Sequence, residues 1–174
     1  MGDHGSFLVN DLEVNMRHIE RRIEVIEHQM ARLVAEQADL QRQYEQLKSI
    51  TGIAEKIAPR LLAELSSLPS DMNARQWVAY AGLDPRPYES GSLVKPRRIS
   101  KLGNRYLRDA LYLPALTASR FDKHVRGYYL HLIERGKKPK QALVAIMRKL
   151  LLAIWAMFKN GEDWSGEKFY KLAG

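Results

Sequence analysis

The chain has 174 residues, 45% of them apolar, a net charge of +8 and no cysteine. That length holds one ordinary domain plus an extension. The missing cysteines exclude disulfide frameworks and thiolate metal sites and fit a reducing cytosol. No uninterrupted apolar run reaches the ~18 residues of a membrane span, so no membrane span is expected.

No signal peptide is visible. The opening Met1–Ser6 reads as a cloning scar, and residues 1–7 are set aside from the fold as scar or disordered chain. The scar also points to a natural start further upstream. Charge is unevenly spread. Residues 8–49 carry 6 Lys/Arg against 8 Asp/Glu, whereas residues 50–174 carry 22 against 11. The basic character therefore belongs to the second part and suggests a polyanion: DNA, RNA or a membrane surface. A solvated basic surface without a ligand gives the same composition.

From Leu12 the apolar positions alternate spacings of four and three. One series is Leu12, Ile19, Ile26, Leu33, Leu40 and Leu47; the other is Met16, Ile23, Met30, Gln37 and Tyr44. Charges and glutamines fill the gaps, with no Gly or Pro, which is a heptad repeat. Residues 8–49 are thus expected to form a coiled-coil helix roughly 50 Å long. So narrow a stripe on so long a helix predicts a homodimer, and the polar Gln37 would fix its register. A helix packed along its own domain is the rival reading.

After Leu47 the period changes. Ile50-Thr51-Gly52-Ile53-Ala54 separates two helices, the second over Ala58–Leu65 with Pro59 near its start. This looks like a helix-hairpin-helix, whose turn amides contact phosphates without reading sequence. Ala54 stands where that motif often has a second glycine, and a plain helix junction fits equally. Leu68-Pro69-Ser70 ends the hairpin. Ser70 or Asp71 is expected to cap a short helix with Trp77, Val78 and Tyr80, closed by Gly82. Residues 83–99 read as a long loop with Pro85, Pro87, Gly91 and Pro96, and such a loop is functional or disordered. Helices are expected from about Gly103 to Ser119 with a kink at Pro114, from Phe121 to Arg135, and from Pro139 to Gly161. Leu143, Ile146, Met147, Leu150, Leu151, Ile154, Trp155 and Phe158 make the core stripe of the last. The fold class is therefore all-α: a coiled-coil helix, then a compact helical domain over residues 50–161 and an ambiguous tail over 162–174.

Hydrolase constellations and a Walker loop are absent. The pair His124 and His131 has no carboxylate between and reads as surface rather than metal site. What remains is the segment from Arg86 to Arg108, with seven Lys/Arg and one acid, Glu89. Serines ahead of a cationic cluster suit phosphodiester chemistry: a hydroxyl attacks phosphorus while cations hold the developing charge. Gly91 permits close approach of the backbone to DNA. A flexible Ser-Gly-Ser linker is the alternative.

At these residues the sequence resembles the bridge-RNA-guided insertion-sequence transposases of the "one-ten" class, related to the Piv DNA invertase. The resemblance rests on ordered motifs. These are Ile50-Thr51-Gly52-Ile53 with Leu61-Leu62-Ala63-Glu64-Leu65; Tyr80-Ala81-Gly82-Leu83-Asp84-Pro85; and Tyr88-Glu89-Ser90-Gly91. They continue with Ile99-Ser100-Lys101-Leu102-Gly103-Asn104 and Leu107-Arg108, then Arg135-Gly136-Lys137, Ala142-Leu143-Val144 and Met147-Arg148-Lys149-Leu150. It implies an enzyme in two catalytic halves joined by a dimerising coiled coil: an N-terminal RuvC-like domain whose acidic tetrad binds Mg2+, and a C-terminal transposase domain with a serine nucleophile. The nucleophile falls on Ser90, with Ser92 two residues away as the fallback. Lys95, Arg97, Arg98, Lys101 and Arg105 are expected to hold phosphates, assisted by Asn104 and Arg108. The chain is expected to be a fragment without the RuvC-like half, holding no cofactor of its own and inactive alone. DNA, a guide RNA and a second copy are the implied partners, in the bacterial or archaeal cytoplasm near the nucleoid. A non-catalytic, dimeric DNA- or RNA-binding module is the competing function.

Overall fold

The computed structural model describes the backbone of residues 3–86, 89–90, 93–94 and 98–172, with side chains over 5–85 and 99–172. It is all-α apart from four two-residue strand pieces. The chain divides into two compact units, Met1–Gln41 and Arg42–Gly174.

In the first unit, α1 (Asp3–Glu36) takes up 34 residues, about 51 Å at the rise of an α-helix. It begins within the stretch set aside as residues 1–7. The heptad stripe lies open on it: Leu12, Met16, Ile19, Ile23, Ile26 and Leu33 are all about half exposed or more. The helix is not continuous to residue 49. It breaks at Gln37, whose N–H bonds three residues back to Val34 O at 3.3 Å, and α2 (Ala38–Lys48) restarts from there. The one polar residue of the stripe thus marks the break.

The second unit is built on α7 (Pro139–Asn160), which touches α4 (Ala74–Tyr80), α5 (Arg105–Phe121), α6 (Lys123–Glu134) and α8 (Gly166–Phe169). Ile146, Leu150, Leu151 and Ile154 are fully buried in it. α7 is the one described helix long and apolar enough to cross a membrane; here its face with Ile146, Leu150, Leu151 and Ile154 is buried against its neighbours. The C-terminal end of α7 is satisfied from α2. Buried Gln46 donates to Met157 O and Glu162 O at 3.0 and 2.7 Å, and Arg42 to Gly161 O at 2.9 Å. Such donors also complement the negative end of a helix dipole.

α2 and α3 (Ala58–Ser66) form the expected helix–turn–helix, with Pro59 in the first turn of α3. Gly52 in the turn has φ +95°, and a Cβ there would meet Thr117 Cβ at 2.8 Å and Pro114 O at 3.0 Å. Its missing side chain lets the turn pack on α5, which favours the plain junction over a phosphate-binding hairpin. α4 is capped by Asn73, not by Ser70 or Asp71. The Asn73 side chain accepts from Arg75 N and Gln76 N, and Gln76 returns a bond to Asn73 N. This reciprocal pair beats a lone hydroxyl or carboxylate further upstream. The end of α4 is a Schellman turn: Leu83 N–H bonds Val78 O at 3.0 Å and Gly82 N–H bonds Ala79 O at 2.9 Å. α5 runs through Pro114 without ending.

The segment after Gly161, ambiguous in sequence, folds back on the domain. Phe169 is buried, Trp164 Nε1 donates to Asp122 at 3.0 Å, and His124 Nδ1 lies 2.8 Å from Tyr170 O. Lys149 Nζ sits over the rings of Tyr128, Phe169 and Tyr170 at 4.3, 4.7 and 5.5 Å. Burial holds this ammonium below the usual lysine range. Burial likewise raises the Tyr128 hydroxyl, with the Arg148 charge opposing and Tyr170 adding.

Candidate nucleic-acid interface

Between α4 and α5 the described residues form two antiparallel strand pairs, together termed the ribbon, where the sequence showed only a loop. β1 (Pro85–Arg86) pairs with β4 (Arg98–Ile99), and β2 (Glu89–Ser90) with β3 (Leu93–Val94). The register sets Ser90 opposite Leu93, with two residues between. Those two are Gly91-Ser92, which lie outside the described residues. Ser90 is therefore the last paired residue on the outgoing side. Pieces of two residues give no alternation to read, which is why the ribbon escaped the sequence.

The ribbon is rooted in the helices by main-chain bonds that continue its antiparallel pairing. Ser100 N–H donates to Asp84 O at 2.9 Å, Lys101 N–H to Gly82 O at 3.1 Å, and Asn104 N–H to Tyr80 O at 2.7 Å. Lys101 adopts φ 53°, unusual for a non-glycine residue. Gly103 has φ +147°, and a Cβ on it would run into the Tyr80 carbonyl and meet Gly82 N at 2.8 Å. Gly103→Ala is accordingly expected to lower stability by about 2–3 kcal/mol through strain and clash. Thermal unfolding followed by circular dichroism should show the lower midpoint; an unchanged midpoint would mean the root of the ribbon is soft.

The predicted site residues separate into two groups at this root. Asn104 and Arg108 are engaged within the chain. Asn104 caps α5 by accepting from Leu107 N at 3.0 Å, and its Nδ2 donates to Tyr80 Oη at 3.0 Å and to the Glu64 carboxylate. It thereby ties α3, α4 and α5 together. Arg108 Nη1 donates to Ala81 O at 2.9 Å and Gly103 O at 3.2 Å. Both side chains position the ribbon's base. Lys101 and Arg105, in contrast, face solvent. Arg105 is 81% exposed and meets Asp109 at 3.3 Å, a surface pair worth at most about 1 kcal/mol and readily exchanged for a phosphate. For Ser90 and Arg98 the description covers the backbone; Ser92, Lys95 and Arg97 lie outside the described residues.

A second cationic cluster was noted in the sequence only as part of a family motif. Arg135, Lys137, Lys138 and Lys140 are all exposed at the turn from α6 to α7. Residues 135–161 contain seven Lys/Arg and no acid, and that run is the signal that marks the cluster. Among the described residues no group of three or more His, Asp or Glu is placed to hold a metal ion.

Residues 44–130, from α2 through the ribbon to α6, match the profile of the Transposase IS116/IS110/IS902 family. The chain is 34% identical over 156 residues to the pilin gene-inverting protein of Moraxella bovis, covering 86% of this chain and 47% of that protein. The same figures hold for the pilin gene-inverting protein of Moraxella lacunata. It is 31% identical over 115 residues to the insertion element IS110 43.6 kDa protein of Streptomyces coelicolor, covering 66% of this chain and 28% of that protein. The chain spans half the length or less of these curated relatives. Since the match covers half of the chain, including the ribbon and the helices that root it, the chain belongs to the IS116/IS110/IS902 transposase family.

Proposed function

We propose that the chain is the DNA-acting C-terminal part of a site-specific DNA recombinase. It supplies a dimerising coiled coil, a phosphate-gripping surface and Ser90 as nucleophile. The observation that carries this reading is the rooted ribbon: a family member's Ser-Gly step stands at its far end, with exposed cations at its base. In the proposed step the Ser90 hydroxyl loses its proton as Oγ bonds to the scissile phosphorus. A DNA oxygen leaves with the bond's electron pair and takes up a proton. The phosphoserine ester keeps the bond energy, so a hydroxyl of a second strand can attack it and release the serine. Lys101 and Arg105, with Lys95, Arg97 and Arg98, would neutralise the charge that builds on phosphorus.

The open stripe of α1 supports a parallel demand for a second copy, because half-exposed isoleucines over many turns leave apolar area in water. Guide RNA is a partner implied by the family resemblance, and Mg2+ belongs in this reading to the other half of the enzyme. The described residues do not fit a magnesium site, and no step is derived through the ion.

Electrostatic binding makes a direct prediction for this chain. Its affinity for duplex DNA should fall steeply with salt, with a log–log slope that shrinks by about one for each phosphate-contacting cation removed. The double variant Lys101→Ala, Arg105→Ala should therefore lose about two units of slope, read by fluorescence anisotropy across a salt series. Binding that ignores salt would sink the reading. The competing function, a binding module without chemistry, is separated by the serine variants discussed below.

A further inference from the structure

We propose that the recess beside the ribbon's root stacks an unpaired nucleobase, with Tyr106 as the platform. This deepens the DNA-binding reading above and rests on it: the strand held there is single or locally opened. The recess is open, about 570 Å³, and bounded by Tyr80, Gly103, Asn104, Arg105 and Tyr106. Tyr106 is 64% exposed on the first turn of α5, and Leu102 beside it is equally exposed. An exposed tyrosine standing alone is ordinary. This one lines the recess together with Arg105, which is 81% exposed, and a second aromatic residue, Tyr80.

Aromatic faces interleaved with cations are what single-stranded nucleic acid requires, since the rings take bases and the cations take the intervening phosphates. A protein partner would be poorly matched to the same place. Its apolar contact would have to bury the Arg105 and Lys101 charges, and Asp109 alone among nearby acids is exposed enough to answer them. Tyr80 is held upright by the Asn104 donor on its hydroxyl at 3.0 Å, so one wall of the recess is fixed before any ligand arrives. Only Tyr106 must settle, which keeps the ordering cost small.

The test compares two single-stranded DNA oligonucleotides of equal length, one with bases and one with abasic sites throughout its centre. Both carry the same phosphates. The full chain is expected to bind the base-containing strand about tenfold more tightly. Tyr106→Ala should remove that ratio and leave the salt slope intact, while Tyr106→Phe should keep both. Equal binding of the two strands by the unaltered chain, or a ratio that survives Tyr106→Ala, overturns the stacking proposal and spares the phosphate reading. Absence of salt-sensitive binding to either strand removes the phosphate reading and this proposal with it. The exposure of Tyr106 makes misfolding of its variants a minor concern, and the helical circular dichroism signal checks it.

Discussion

Ser90→Ala, placed in a full-length enzyme that carries both halves, is expected to lower recombination by at least about a thousandfold and to abolish the covalent protein–DNA adduct. The magnitude follows from removing a nucleophile outright. Binding should change little. A neutral hydroxyl adds almost nothing to an affinity set by counterion release, and Ser90 pairs through its backbone, which alanine keeps. Ser92→Ala serves as the control because it removes the neighbouring hydroxyl without touching the paired position. If both variants recombine normally, the ribbon is a binding arm and the chemistry resides elsewhere. The chain by itself should show no strand exchange; activity from these 174 residues alone would contradict the two-part scheme.

The second large effect concerns assembly. Ile19→Lys with Ile26→Lys is expected to turn a dimer into a monomer in analytical ultracentrifugation. These residues are 56% and 54% exposed in the single chain, so each still has about 1 kcal/mol of burial to gain from a partner. Four such side chains across two strands amount to about 4 kcal/mol, close to a thousandfold in dissociation constant. The lysines add like-charge repulsion in the seam. Far-ultraviolet circular dichroism of the second unit's helices should persist, since that unit has a buried core of its own at Ile146, Leu150 and Ile154. A variant that remains dimeric would assign the stripe to some other contact.

Much of this architecture was legible from periodicity. The heptads from Leu12 set out α1, and the stripe from Leu143 to Phe158 gave α7 its bounds through Pro139 and Gly161. Caps were harder. Asn73 won over Ser70 and Asp71 because Gln76 closes a reciprocal box, a pairing visible only when both positions are read together. The break at Gln37 falls on the residue the heptad pattern had already singled out as polar. The tail resisted because its order comes from distant partners, with Lys149 Nζ over three rings and Asp122 accepting from Trp164, and no local period encodes such contacts.

The site was legible in composition and not in geometry. Seven cations from Arg86 to Arg108 marked the segment, but nothing in that count separates residues that face solvent from residues that hold the fold. Asn104 and Arg108 turn out to bond Glu64, Tyr80, Ala81 and Gly103, partners as far as 40 positions away in sequence. Lys101 and Arg105 remain outward. The family motif through Asn104 and Arg108 therefore has a structural explanation: its side chains tie the start of α5 to Glu64, Tyr80 and Ala81.

The most direct measurement of the central claim is mapping of the covalent adduct. The full-length enzyme would be trapped on a nicked DNA substrate, digested, and the nucleotide-bearing peptide sequenced by mass spectrometry. The account predicts a phosphodiester remnant on Ser90. A remnant on any residue outside the ribbon, or strand exchange that proceeds with no adduct at all, would contradict it.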